Sequence, residues 1–378
     1  MELLLTLASA ALALFNGTCW RNLQRLPRLE PGRWDTSCEA PFISVLVPAR
    51  NEAERIAPCL HSLCRQEYPS YEVVVLDDES TDATLDILEH LRTQYPERLR
   101  VLRGAPLPEG WIGKAWACWQ LAQAARGEWF LFADADTVFH PLALPSLIRE
   151  CLQHRWRFVS VLPAEVMHSF AERLIIPQLY IIYFAYIPDS WRRFLPSFHA
   201  ASGQALLMEA RLYWEIGGHE AVRAKLAEDI ALGQRVARAI GEAPIADGNG
   251  LVHCRMYESS AEAIAGFSKN MYPAMGYRPW ILWGFLLHLL VFFVLPPVAA
   301  VVGVLYGNAL WSLLGLLSYG MSVLLRWQVS QTFKLPKAQI WFQPLAALLL
   351  CAIALNSYRW SITGRLQWKG RLYRPHTP

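Results

Sequence analysis

Trp129-Phe130-Leu131-Phe132-Ala133-Asp134-Ala135-Asp136 is an apolar run that ends in two carboxylates one residue apart. Five consecutive apolar or aromatic residues, bounded upstream by Gly127, read as a buried strand of a parallel sheet covered on both faces. In such sheets ligands bind beyond the carboxyl ends of the strands, where Asp134 and Asp136 fall. Residues i and i+2 of an extended segment point the same way, so the two side chains are expected to share one ligand. Two hard oxygen donors so placed suit a divalent cation that also holds a diphosphate. The competing reading of a bare Asp-x-Asp is a pair of solvated loop residues capping the next helix.

Upstream, Ile43-Ser44-Val45-Leu46-Val47 is a strand stopped by Pro48. The polar turn Ala49-Arg50-Asn51-Glu52 leads from it into a helix with Ile56, Leu60, Leu63 and Cys64 on one face. Val73-Val74-Val75-Leu76 is a further strand and ends in Asp77-Asp78-Glu79-Ser80-Thr81-Asp82. Ser80 or Thr81 is expected to cap a helix carrying Leu85, Leu88 and Leu91. Strand and helix alternating at this spacing form a βαβ unit. Asp77 and Asp78 are placed to accept hydrogen bonds from a base or ribose, or else serve only as helix caps. Arg100-Val101-Leu102 is a third strand, after which Gly110-Trp111-Ile112-Gly113-Lys114 opens a helix through Ala125. A lysine beside the free N–H groups and dipole of a helix start is a natural anion contact.

Downstream come a helix starting at Pro141 and a strand over Phe158 to Val161. The stretch from Val166 to Ala200 is aromatic-rich, broken by Pro177 and Pro188, and carries Arg192-Arg193 near its end. It suits the membrane surface, where a lipid acceptor would enter, or equally an ordinary pair of core helices. A strand over Gly203 to Met208 and the turn Gly217-Gly218-His219 precede Leu226-Ala227-Glu228-Asp229, which opens a helix reaching Gly241. The helix dipole favours acidic residues in any first turn. Glu228 and Asp229 therefore gain meaning only beside the other motifs.

Of 378 residues, 54% are hydrophobic and 18% charged, and sixteen are Trp, a residue enriched at membrane interfaces. A net charge of +3 with no basic stripe argues against a nucleic-acid partner. Eight scattered cysteines without a Cys-x-x-Cys pair argue against zinc and against a disulfide framework, and fit reduced thiols in a cytosolic domain. Leu3 to Trp20 is long enough to span a bilayer, and Arg21, Arg25 and Arg28 follow it, so what comes next is expected in the cytosol. Two more apolar runs, Ile281 to Tyr306 (kinked at Pro296-Pro297) and Ala309 to Leu325, meet at Gly307-Asn308. Arg326, Lys334 and Lys337 are expected to mark the cytosolic return. Four full spans would put the basic tail with Arg359, Arg365, Lys369, Arg371 and Arg374 outside. The run from Ile340 to Asn356 is therefore expected to be re-entrant or interfacial.

Taken together, Val47-Pro48-Ala49-Arg50-Asn51-Glu52, Leu76-Asp77-Asp78-Glu79-Ser80-Thr81-Asp82, Asp134-Ala135-Asp136 and Glu228-Asp229 resemble the motifs of family 2 glycosyltransferases, in the family's order. Gly110-Trp111-Ile112-Gly113-Lys114, Gly217-Gly218-His219, Arg255-Met256-Tyr257 and Trp368-Lys369-Gly370-Arg371-Leu372-Tyr373 are similar to its hopene-associated and carotenoid branch. The resemblance implies the α/β GT-A nucleotide-diphospho-sugar transferase fold, a mixed, mainly parallel sheet with helices on both faces, here with transmembrane helices added. It implies inverting transfer from a UDP- or GDP-sugar to a membrane lipid such as a carotenoid, a hopanoid or another polyisoprenoid. Pro48, Ala49, Arg50, Glu52 and one of Asp77 and Asp78 would hold the nucleotide. Asp136, supported by Asp134, would ligate Mg²⁺ or Mn²⁺. Asp229, with Glu228 beside it, would be the general base. Lys114 and Arg255 would assist the leaving diphosphate, and His253 is a possible helper. The expected organisation is an anchor over 1–20, a linker over 21–40, a cytosolic catalytic domain over 41–260, an interfacial connector over 261–280, membrane segments over 281–358 and a basic tail over 359–378. The protein is thus expected in a bacterial plasma or internal membrane.

One departure separates the chain from the family's processive polysaccharide synthases. Where those carry Gln-x-x-Arg-Trp, this sequence reads His253-Cys254-Arg255-Met256-Tyr257, and Asn356-Ser357-Tyr358-Arg359-Trp360 imitates the motif beyond the membrane runs. A single-transfer enzyme is favoured over a polysaccharide synthase. A non-catalytic scaffold is disfavoured by the intact carboxylates.

Overall fold

A computed structural model describes residues 1–192, 194–365, 367–369 and 371–372. Arg193, Gly370, Tyr373 and Arg374, named above, lie outside the described residues. The chain divides into two units, one of residues 26–166 and 192–256 and one of residues 1–25, 167–191 and 257–378.

The first unit is built on a seven-stranded sheet. Its strands are β1 (Ile43–Ala49), β2 (Tyr71–Asp77), β3 (Leu99–Arg103), β4 (Trp129–Ala133), β6 (Phe158–Leu162), β8 (Ala205–Glu209) and β9 (Ile245–Asp247). A second sheet joins β5 (Thr137–Phe139), β7 (Ala164–Glu165) and β10 (Val252–Cys254). The order in the large sheet is β3-β2-β1-β4-β8-β6-β9, with β8 antiparallel to both neighbours and the other pairs parallel. Alternation along each strand sends apolar side chains to both faces. Val45, Val47, Val73, Val75 and Leu131 enter one core, while Leu46, Val74, Phe130, Phe132 and Met208 enter the other. Each fully buried apolar side chain of this size contributes on the order of 1.5–3 kcal/mol.

Two local expectations are corrected. Neither Ser80 nor Thr81 caps the helix Thr84–Gln94; its N-cap is Ala83, without a side-chain cap, and Asp82 just before it accepts the Thr84 N–H at 3.0 Å. Ser80 and Thr81 instead bind Asn51, through Asn51 N–H to Ser80 Oγ at 3.0 Å and Thr81 N–H to Asn51 Oδ1 at 2.8 Å, and so knit the loops after β1 and β2 together. The segment expected as a linker over 21–40 also divides. Residues up to Arg25 continue the N-terminal helix, and the next ones pair with the sheet unit, Leu29 N–H donating to Asp247 O at 2.9 Å.

The second unit is helical: Glu2–Arg25, Phe170–Ala185, Ser260–Ala274, a helix over 279–305, Ala309–Thr332 and Gln343–Ile362. Among the described residues, four helices are long and apolar enough to cross a membrane, Glu2–Arg25, Pro279–Leu305, Ala309–Thr332 and Ile340–Ile362. The third C-terminal run, expected to be re-entrant or interfacial, lies in a helix of 23 residues, Ile340–Ile362. A π-helical turn, Leu290–Val294, lies just before Pro296-Pro297, where a kink was expected; prolines that cannot donate their N–H leave carbonyls one turn earlier to find other partners. The helix expected as a connector, Ser260–Ala274, packs along Gln343–Ile362, with Tyr272 N–H donating to Ser357 Oγ at 2.8 Å and Asn356 Nδ2 to Ser268 Oγ at 3.1 Å. Asn356 and Ser357 of the motif-like Asn-Ser-Tyr-Arg-Trp run therefore serve helix packing.

Arg326 is corrected as well. It is 1% exposed and binds the carbonyls of Arg173 and Leu174 and Oε1 of Gln343, so it marks no solvent-facing return. Pro177 interrupts the helix Phe170–Ala185 and cannot donate to the Arg173 carbonyl, the acceptor one turn back. The Arg326 guanidinium satisfies that orphan.

Candidate active site

The sheet's C-terminal edge gathers the sequence motifs. β4 stops at Ala133, and the chain turns before β5, with the Asp134 carbonyl accepting both the N–H and the hydroxyl of Thr137, at 3.2 and 2.6 Å. Asp134 and Asp136 thus sit on a turn and not on the extended segment that strict alternation assumed. The helix Gly113–Ala124 begins behind this turn and aims Lys114 at it. Lys114 Nζ lies 2.8 Å from Asp134 Oδ1 and 3.2 Å from Glu228 Oε1. Glu228 and Asp229 open the helix Glu228–Ile240, and Asp229 Oδ2 accepts the Gly203 N–H at 2.9 Å. Gly203 lets the two groups close in: a Cβ there would come within 2.9 Å of Lys114 Nζ and 3.3 Å of Asp229 Oδ2, so the lysine would have to shift.

The electrostatics follow from this crowding. Burial alone would lower the Lys114 ammonium, but Asp134, Glu228 and Asp229 outweigh it and hold the lysine well above its usual range. Burial raises the Glu228 carboxyl, with Lys114 opposing and Asp229 adding to the rise. Asp136 is pushed up to about 7, first by burial and then by Asp134 and Glu52. Its buried Oδ1 has no hydrogen-bond partner among the described residues.

Pro48, Lys114, Asp134, Glu228 and Asp229 line one pocket together. The other expected residues surround it. Ala49 and Asp77 end paired strands, and the Asp78 N–H donates to the Ala49 carbonyl at 2.8 Å. Asp77 and Asp78 are 5% and 1% exposed. Arg50 is turned to the carbonyls of Asp78 and Glu79, bracing the loop. Glu52 N–H donates to Thr84 Oγ1 at 2.8 Å, and the Glu52 charge is felt at Asp136. The Arg255 N–H donates to the Asp136 carbonyl at 3.2 Å, which brings that residue to the Asp-x-Asp turn. His253 lies on β10, exposed, opposite Val138. Sequence reasoning left out Gly203, Cys118, Phe132, Leu206, His219 and Leu232, which also line the pocket. The Gly-Gly pair before His219 was the one local signal.

This architecture, with its carboxylates at the strand ends, is the GT-A fold of nucleotide-sugar transferases. A solved structure of the mannosyltransferase PcManGT from Pyrobaculum calidifontis, in complex with GDP-Man and Mn²⁺, shares it with a TM-score of 0.58 at 17% identity, over 95% of this chain and 98% of that one. Residues 44–214 match the family model for glycosyl transferase family 2. The 4,4'-diaponeurosporenoate glycosyltransferase of Staphylococcus haemolyticus is 27% identical over 272 residues, covering 70% of this chain and 69% of that protein. Its Staphylococcus aureus (strain USA300) counterpart is 26% identical over 242 residues, 62% of each.

Proposed function

We propose that this protein transfers a sugar, with inversion, from a UDP- or GDP-sugar to a hydroxyl or carboxyl of a membrane lipid, a carotenoid or another polyisoprenoid. The observation that carries the reading is the convergence of Lys114, Asp134, Glu228 and Asp229 from three elements on one pocket at the sheet's C-terminal edge. The lipid acceptor is supported by apolar helices in the same chain and by the carotenoid glycosyltransferases it resembles. The sheet unit is read as cytosolic because Arg21 and Arg25 close the first apolar helix and Arg28 follows it.

In this reading the loop Pro48–Glu52 and Asp77 or Asp78 receive the nucleotide. Asp134 and Asp136 fit a divalent cation, since Asp136 offers a buried oxygen without a partner and its crowding by like charge favours a positive neighbour. No cluster of three or more His, Cys, Asp or Glu able to hold a metal occurs among the described residues. Mg²⁺ and Mn²⁺ sites of one or two carboxylates completed by substrate phosphates are of this kind. Bound there, the cation would offset the negative charge of the diphosphate. Lys114, already held charged, and Arg255 supply fixed positive charge beside it. Asp229, oriented by the Gly203 N–H, takes the proton of the attacking acceptor group.

The test uses protein purified in detergent, Mg²⁺ or Mn²⁺, labelled UDP- and GDP-sugars and a lipid extract. Wild type should move label into organic solvent and Asp229→Asn should not. Label in an aqueous polymer, or equal transfer by the variant, refutes the reading.

A further inference from the structure

His219 lines the same pocket as Lys114 and Asp229, and the mechanism above gives it no task. It is 4% exposed, and its ring meets Phe132 edge-on with centroids 4.8 Å apart. Two contacts with Tyr213 fix it: its backbone N–H donates to the phenol oxygen at 3.1 Å, and its Nδ1 lies 3.0 Å from the same atom. Tyr213 is fully buried, and no other acceptor for its hydroxyl proton is recorded among the described residues. A buried hydroxyl left without an acceptor is costly, so the phenol donates to Nδ1. A neutral imidazole carries one proton, which then belongs on Nε2. Burial, followed by the Lys114 charge, pushes the imidazole down to about 3 and keeps it neutral.

The backbone is built for this contact. Gly217 and Gly218 have φ of +78° and +48°, and a Cβ on Gly218 would come within 2.4 Å of Tyr213 Cζ. Glycine lets the chain press the His219 N–H onto the phenol. No described group hydrogen-bonds Nε2. The pocket therefore offers a neutral donor, the carboxylates Glu228 and Asp229 as acceptors, and the apolar faces of Phe132 and Leu232. A polyhydroxylated ring needs donors, acceptors and apolar faces together.

We propose that His219, locked as its Nε2–H tautomer by Tyr213, donates a hydrogen bond to a hydroxyl of the transferred sugar and so reads the sugar of the donor rather than its nucleotide. This rests on the nucleotide-sugar reading above. The test is calorimetric titration of the full chain in detergent with UDP, GDP, UDP-glucose and GDP-mannose. His219→Phe should bind the free nucleotide as wild type does and its sugar conjugate roughly tenfold more weakly, the loss expected for one hydrogen bond with its partner left unpaired. His219→Gln, whose amide nitrogen can stand near the Nε2 position, should recover most of the affinity, and Tyr213→Phe should fall between. Equal loss for nucleotide and conjugate, or no loss for either, overturns the role of His219. Wild type that binds none of the four overturns the nucleotide-sugar reading, and this inference with it.

Discussion

Lys114 Nζ lies 2.8 Å from Asp134 Oδ1, joining the start of one helix to the end of the central strand. Through Glu228, at 3.2 Å, the same ammonium reaches a second helix. One cation thus holds together the two acidic motifs of the site. A diphosphate arriving there meets a lysine that needs no protonation step.

Lys114→Met should leave Glu228 and Asp134 without their counter-charge. With Glu228 7% exposed and Lys114 about a quarter exposed, the expected loss of stability is about 1–3 kcal/mol, below that of a fully buried pair. Donor affinity should fall roughly tenfold or more, a one-contact loss of about 1.4 kcal/mol at least. Adding Glu228→Gln should restore the melting temperature but not the affinity. A single variant that melts like wild type contradicts the bridging role.

The Asp136 carboxyl, raised from 3.8 to about 7 in the folded protein, predicts a pH-dependent response to cations. A raised carboxyl contributes stability that is fully present below its unfolded value, near pH 4, and lost as the pH climbs to about 7. Above that pH the ionised side chain is crowded by Asp134 and Glu52, and a divalent cation offsets the repulsion. The thermal shift caused by Mn²⁺ should therefore be larger at pH 8 than at pH 5, and small in Asp136→Asn at both. Shifts of equal size at the two pH values in wild type would count against the site.

Gly203→Ala tests the close packing of the site without replacing a charged group. The added methyl would lie 2.9 Å from Lys114 Nζ, the far end of a flexible side chain, and 3.3 Å from Asp229 Oδ2. The fold should survive, because the lysine can swing away, while transfer falls on the order of a hundredfold as the acid–base geometry is lost. Wild-type turnover in this variant would mean that Lys114 and Asp229 need not sit where they do.

Arg326 and Pro177 should be energetically coupled. Arg326→Leu leaves the Arg173 carbonyl unpaired at a cost of about 1–3 kcal/mol, because Pro177 cannot supply the missing N–H. In a Pro177→Ala background the helix closes its own bond, and the same substitution should cost markedly less. A double-mutant cycle on unfolding in detergent checks this, and strict additivity would show that the guanidinium has no part in repairing the helix.

Local signals carried much of the fold. The apolar runs in β1, β2 and β4 were readable because a strand buried on both faces is apolar over successive residues, as Val45, Leu46 and Val47 illustrate by entering opposite cores. The helix Glu228–Ile240 was legible from its periodicity and from Gly241, which ends it at φ +84°. Ser80 and Thr81, both competent caps, do not cap Thr84–Gln94 because the loop after β1 claims them through Asn51.

The sequence by itself determined six strands of the large sheet, the carboxylates at their ends and the apolar helices, but not the short strands β5, β7, β9 and β10, because strand alternation, helix periodicity and hydropathy are short-range properties that need several residues to register. Tertiary structure decided which groups meet: Lys114 with Glu228, Gly203 with Asp229, Tyr213 with His219, Arg326 with the carbonyl that Pro177 leaves open. Most of these partners are distant in the chain. Even Tyr213 and His219, six residues apart, meet through the backbone turn at Gly217-Gly218. What selects each pairing is the cost of burying a charge or polar group without a partner, and that cost exists only once the elements have packed.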